Sequence, residues 1–81
     1  MTRLPVLSDT EVIRILLRLG FQYAPKRGKG SHIALCKADK SGHRLLVIVP
    51  KRKEIPRGTL MAILEQAQIS REEFLHLLGR E

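Results

Sequence analysis

The side chains best suited to chemistry gather in one stretch, Lys26 to Lys37, "KRGKGSHIALCK". Lys26, Arg27 and Lys29 supply positive charge, Gly28 and Gly30 leave the backbone bare around them, and His32 follows directly on Ser31. A neutral imidazole takes a proton from a ribose 2′-hydroxyl, and neighbouring cations stabilise the charge that grows on the adjacent phosphate. The two glycines allow a backbone to approach that phosphate closely, and consecutive loop amides help to hold it. The same residues also fit a plainer role, in which His32 only opens an edge strand after a glycine turn. Residue types alone leave both open.

The remaining candidates are weaker. Lys51, Arg52 and Lys53, with Arg57 beyond them, have the spacing to grip a phosphate backbone in a salt-sensitive way, or to form a solvated loop. His43 follows a turn glycine and His76 lies among acidic neighbours, so three scattered histidines have no metal-ligand spacing; no metal and no cofactor are expected. Cys36 is the only cysteine, which excludes a disulfide framework and a thiolate cluster and fits a reducing cytoplasm. Mid-strand among small apolar residues, it reads as a buried, inert thiol. Phe21, Tyr23 and Phe74 are the only aromatics, and with the two phenylalanines assigned to the core, a base-stacking platform is not expected.

The elements that must position these groups are well marked. Ser8 with Glu11 makes a capping box and Leu7 with Val12 a hydrophobic staple, opening a helix whose apolar face is Val12, Ile13, Leu16, Leu17 and Leu19. Gly20 ends it as a left-handed stop. Three strands follow, over about 21–25, 32–37 and 43–49, the last two joined as an antiparallel hairpin by the turn residues Asp39 to Gly42. Alternation along the middle strand sets His32, Ala34 and Cys36 against Ile33 and Leu35, so His32 looks outward if the bulkier pair faces the helices. Beyond the loop "KRKEIPRG" a second helix begins between Pro56 and Thr59, with Leu60, Ile63, Leu64 and Ala67 at helical spacing. A short third helix opens at Ser70, where Ser70 with Glu73 and Ile69 with Phe74 repeat box and staple. The expected fold is α+β: an α-β-β-β-α chain with a three-stranded antiparallel sheet, helices on one face and a short C-terminal helix, as in double-stranded RNA-binding domains.

Composition sets the outer bounds. Eighty-one residues, 43% hydrophobic and 28% charged, make one globular domain spanning 1–81. The formal charge of +7 favours a polyanionic partner, and it is uneven: residues 1–60 hold 13 basic and 4 acidic side chains, residues 61–81 hold 2 and 4. Arg14 and Arg18 interrupt the first apolar segment, and no export signal or membrane-spanning run is read.

In "LRLGF" at Leu17 to Phe21, "KGSHIAL" at Lys29 to Leu35, "VIVP" followed by "KEIPRGTLMAIL" up to Leu64, and "ISREEFLHLL" at Ile69 to Leu78, the chain resembles HicA-type toxins. These are small ribonucleases of bacterial toxin and antitoxin pairs. The resemblance implies a double-stranded-RNA-binding-domain-like fold and endonucleolytic cleavage of messenger or other single-stranded RNA, with His32 as the catalytic residue. It also implies inhibition by a HicB-type antitoxin that covers His32. Combined with the residue reading, it gives a metal-independent enzyme whose phosphate contacts are Lys26, Arg27, Lys29, Ser31, Lys51, Arg52 and Lys53. The chain departs from its relatives in two places: Lys51 to Lys53 stand where many carry a second histidine, and Gln68 stands where a glycine is usual. Charge and fold are also compatible with a non-catalytic RNA-binding module, or with a domain that docks an acidic protein.

Overall fold

A computed structural model of the chain describes residues 4–24 and 30–79. The elements run α1 (Asp9–Arg18), β1 (Gln22–Tyr23), β2 (His32–Ala38), β3 (Arg44–Pro50), α2 (Arg57–Ala67) and α3 (Arg71–Leu78). The three strands form one antiparallel sheet in the order β1-β2-β3, so the fold is α+β in the expected α-β-β-β-α order with an added short helix.

Local chemistry sets the ends of α1. The Ser8 hydroxyl accepts from the Glu11 amide at 3.2 Å while the Ser8 amide donates to the Glu11 carboxylate at 2.9 Å, which satisfies two otherwise orphaned donors. At the other end Gly20 turns left-handed at φ +99°, the Phe21 amide reaches back to the Leu16 carbonyl, and the Gly20 amide reaches the Leu17 carbonyl. Lys37, from β2, adds its Nζ to the Leu19 carbonyl at 2.6 Å and lies 5.6 Å from the centre of the Phe21 ring. That cation neutralises the negative end of the helix from outside it. The buried face is Val12, Ile13, Ile15 and Leu16, whereas Leu17, expected inside, is 40% exposed. At 100° per residue Leu17 lies about 40° beyond Ile13, on the rim of that stripe, which leaves its side chain partly in solvent.

Among the described residues only one side of the sheet is covered. Leu35, Val47 and Val49 join Val12, Ile15, Leu16, Leu60, Ile63, Leu64 and Phe74 in the core, and Ile33 and Leu45 pack at its margin. By alternation His32, Ala34, Cys36, Leu46 and Ile48 take the opposite side, where Leu46 is 40% exposed. Ala34 and Cys36 are nonetheless buried, because small side chains on a central strand are flanked by both neighbours. β1 is shorter than the expected 21–25: the Phe21 amide is taken by the helix stop, and Pro25 lies outside the described residues. β2 and β3 pair along their whole length, from His32 with Pro50 to Ala38 with Arg44. β3 begins at Arg44 rather than His43, since the His43 amide donates to the Asp39 carboxylate in the turn at 2.9 Å.

The ladder bonds from the Asp39 amide to the His43 carbonyl and from the Lys51 amide to the Ser31 carbonyl fix which β3 amides face β2. Those of Arg44, Leu46 and Ile48 face away, at the sheet margin. The Ile48 amide there donates to the side chain of Gln66, on α2, at 3.0 Å.

α2 buries Leu60, Ile63, Leu64 and Ala67 as its spacing predicts. It stops at Gln68, which takes a left-handed conformation at φ 58°, ψ 41°, while the Ile69 amide reaches back to the Leu64 carbonyl at 3.1 Å. The left-handed stop, usually a glycine position, is made here by glutamine. Ser70 then caps α3 by accepting from the Glu73 amide at 3.0 Å, and Phe74 is fully buried.

Candidate active site

His32 is the first residue of β2, exposed, on the uncovered side of the sheet and opposite Pro50. One residue earlier the ladder continues: the Lys51 amide donates to the Ser31 carbonyl at 2.7 Å, so both sides of the His32 backbone are pinned to β3. The Ser31 hydroxyl lies 3.2 Å from His32 Nδ1. When Nδ1 carries the proton and donates it to that oxygen, Nε2 keeps its lone pair and points away as a base.

His32, Lys51 and Gly30 line one shallow depression of about 310 Å³ together with Tyr23, Ala24, Ile33 and Ala34. Gly30 has φ +55°, a backbone that favours glycine, and a Cβ there would meet nothing within 4 Å, so space lies open beside it. A base, an ammonium group and an unencumbered backbone therefore border one volume. That arrangement can accept a proton from a hydroxyl and hold an anion next to it.

The other expected residues divide into three groups. Lys26, Arg27, Gly28 and Lys29 lie outside the described residues. Arg52 and Lys53 are exposed but do not line the depression; the chain there runs past the start of α1, where the Asp9 amide donates to the Arg52 carbonyl at 3.0 Å. They extend the positive surface beyond Lys51. Arg57 points elsewhere, its Nε donating to the Leu4 carbonyl at 2.6 Å, so its role is to tie the N-terminal segment to α2.

His43 sits in the β2–β3 turn, 81% exposed, with its Nδ1 3.0 Å from the Ser41 hydroxyl, and His76 is on α3. Neither joins His32. Cys36 is buried, as its setting predicts. Among the described residues no three His, Cys, Asp or Glu side chains could hold a metal ion together, and no helix is long and apolar enough to cross a membrane.

Tyr23 is the one residue at this site that sequence reasoning left without a role. It is 58% exposed and lines the His32 depression, whereas Phe21 and Phe74 are buried. The sequence carried no signal for it, since the strand was expected over about 21–25 and only the structure shows β1 ending at Tyr23.

No curated protein matches the chain. The family described as "HicA toxin of bacterial toxin-antitoxin" matches residues 10–69, which take in α1, the sheet and α2. A match over most of the chain, on the fold and residue order described above, makes it a member of the HicA toxin family of bacterial toxin and antitoxin systems.

Proposed function

We propose that the chain is a metal-independent endoribonuclease, the toxin half of its pair, acting in the cytoplasm on messenger or other single-stranded RNA. The observation that carries this reading is His32, exposed at the start of β2, on the same depression as Lys51 and Gly30. His32 Nε2 takes the proton of a ribose 2′-hydroxyl. The freed oxygen bonds to the adjacent phosphorus, the bond from phosphorus to the 5′ oxygen breaks, and that oxygen takes up a proton from solvent, to which the imidazolium returns its own. The products are a 2′,3′-cyclic phosphate and a free 5′-hydroxyl.

Because the nucleophile belongs to the substrate, no metal-bound water is needed. Lys51 would offset charge on the phosphate, and Arg52 and Lys53 would hold phosphates further along the strand. Lys26, Arg27 and Lys29, with the backbone at Gly28 and Gly30, are proposed as further phosphate contacts. Ser31 orients the imidazole and is a second donor within reach of the RNA. A HicB-type antitoxin is the proposed inhibitor; it would cover His32, and acidic residues would complement this basic surface.

The test is His32→Ala in purified protein. Cleavage should vanish while the circular dichroism spectrum and RNA affinity stay those of the parent, and chelators should leave the parent's rate unchanged. A folded variant that still cleaves refutes the role of His32, and loss of activity on chelation refutes metal independence. RNA binding by the parent with no cleavage at all would identify a non-catalytic RNA-binding module instead. Alanine at Lys51, Arg52 or Lys53 should each reduce the salt dependence of binding by about one unit of slope.

A further inference from the structure

We propose that Tyr23, against the expectation that no aromatic is free for stacking, is a stacking platform for an unpaired base next to the nucleotide that His32 attacks; this rests on the RNA-cleaving reading and adds the contact that would hold a single strand. Three observations carry it. Tyr23 is 58% exposed, more than Val6, Leu17 or Leu46, and it is not part of the core. It borders the His32 and Lys51 depression and a second one of about 290 Å³ lined by Thr10, Arg14 and Leu17, so it forms the ridge between them. Its backbone is fixed: Tyr23 pairs with Leu35, which sets its side chain on the α1 side of the sheet edge, across that edge from His32, and the next amide, Ala24, donates to the Ala34 carbonyl at 2.9 Å.

An exposed ring on a pinned backbone, at the border of a hollow that also holds Lys51, suits one partner chemistry, the face of a nucleobase whose sugar-phosphate passes over the sheet edge into the hollow. Stacking accepts any base, because every base has a π face, but it requires that the face be free. A duplex hides its base faces. Tyr23 therefore selects unpaired RNA while reading little of its sequence, and Arg14, on the far side of the ridge, lies where the next phosphate would pass.

The chain contains one tyrosine and no tryptophan, so its tyrosine fluorescence reports on this ring alone. The intact protein is titrated with an eight-nucleotide 2′-O-methyl oligouridylate, which lacks the attacking hydroxyl, and with an abasic oligomer of equal length and charge. Quenching by the first and not by the second is expected. Tyr23→Ala should lose roughly five- to a hundred-fold in affinity for the base-bearing oligomer and nothing for the abasic one, with Tyr23→Phe close to the parent. If the parent cleaves RNA but its fluorescence is unchanged on binding, and both oligomers bind equally, stacking on Tyr23 is wrong and the nuclease reading survives. If the parent neither binds nor cleaves RNA, both fall. Should Tyr23→Ala not fold, the fluorescence comparison on the intact chain still decides.

Discussion

Replacing Gln68 with glycine should make this protein more stable without touching its chemistry. Gln68 ends α2 at φ 58°, ψ 41°, where an L side chain crowds its own carbonyl at a cost of about 1–2 kcal/mol. Glycine removes that crowding but is freer in the unfolded chain, which takes back roughly 0.5–1 kcal/mol. The Gln68 side chain is exposed, and the two closing bonds, from the Gln68 amide to Glu65 and from the Ile69 amide to Leu64, belong to the backbone and survive. The balance is a gain of about 0.5–1 kcal/mol, or a rise in Tm of roughly 2–8 °C for a domain of this size. Thermal and urea unfolding followed by circular dichroism measure it, with an unchanged urea slope expected. Gln68 lies by the β2–β3 turn, beside Asp39 and Ser41, and β2 carries His32 about 20 Å away at its other end, so RNA cleavage should stay at the parent rate. A Tm equal to or below the parent's would refute the account of a strained stop, and an altered cleavage rate would refute the independence of the two ends.

Three further expectations follow from particular contacts. Lys37→Met keeps the aliphatic stem but loses the Nζ bond to the Leu19 carbonyl, so it should cost about 1.5–3 kcal/mol in urea unfolding and leave the salt dependence of RNA binding unchanged. Ser31→Ala should slow cleavage about five-fold and move its pH profile while Ser31→Thr restores both; a full rate in the alanine variant would end the role of that hydroxyl in orienting His32. The Asp39 carboxyl is held below the ordinary aspartate range, first by the Ser41 hydroxyl and then by the His43, Ser41 and Gly42 amides. A lowered folded pKa stabilises the turn above the unfolded pKa and ceases to do so as pH falls through the folded one; NMR titration of Asp39 should show the shift in the parent and a smaller one in Ser41→Ala.

Much of this molecule is legible without coordinates because its punctuation is local. The capping box at Ser8, the glycine stop at Gly20 and the Asp39 to Gly42 turn are decided by residues within four positions of one another, and each forms where its chemistry says, while at Ser70 the serine half of the expected box forms, its hydroxyl accepting from the Glu73 amide. Contacts across the fold were harder to read. The cations Lys37 and Arg57 look like their basic neighbours in sequence, yet each donates to a backbone carbonyl far away in the chain, at Leu19 and Leu4, a use that only packing reveals. The exposure of Leu17 and Tyr23 likewise depends on where α1 and the short β1 end against their neighbours. At the site, alternation along β2 put His32 on the outer side, but the meeting of His32 with Lys51 and Tyr23 depends on the register of two ladders. The departure at Gln68 could be seen, but not its outcome, since a non-glycine stop can either keep the left-handed turn at a cost or abandon it.

The margin of β3 has a consequence for how the molecule behaves in a crowded solution. Of the amides directed away from β2, that of Ile48 is taken by Gln66, and Pro50 has none to offer, which leaves those of Arg44 and Leu46. A second copy seeking to zip onto this border would find two donors at one end of a seven-residue strand, with a guanidinium beside them. Self-templated fibre growth needs a longer run of free donors than that. The sheet can thus leave one whole side uncovered, with His32 on it, without inviting its own kind to stack edge to edge.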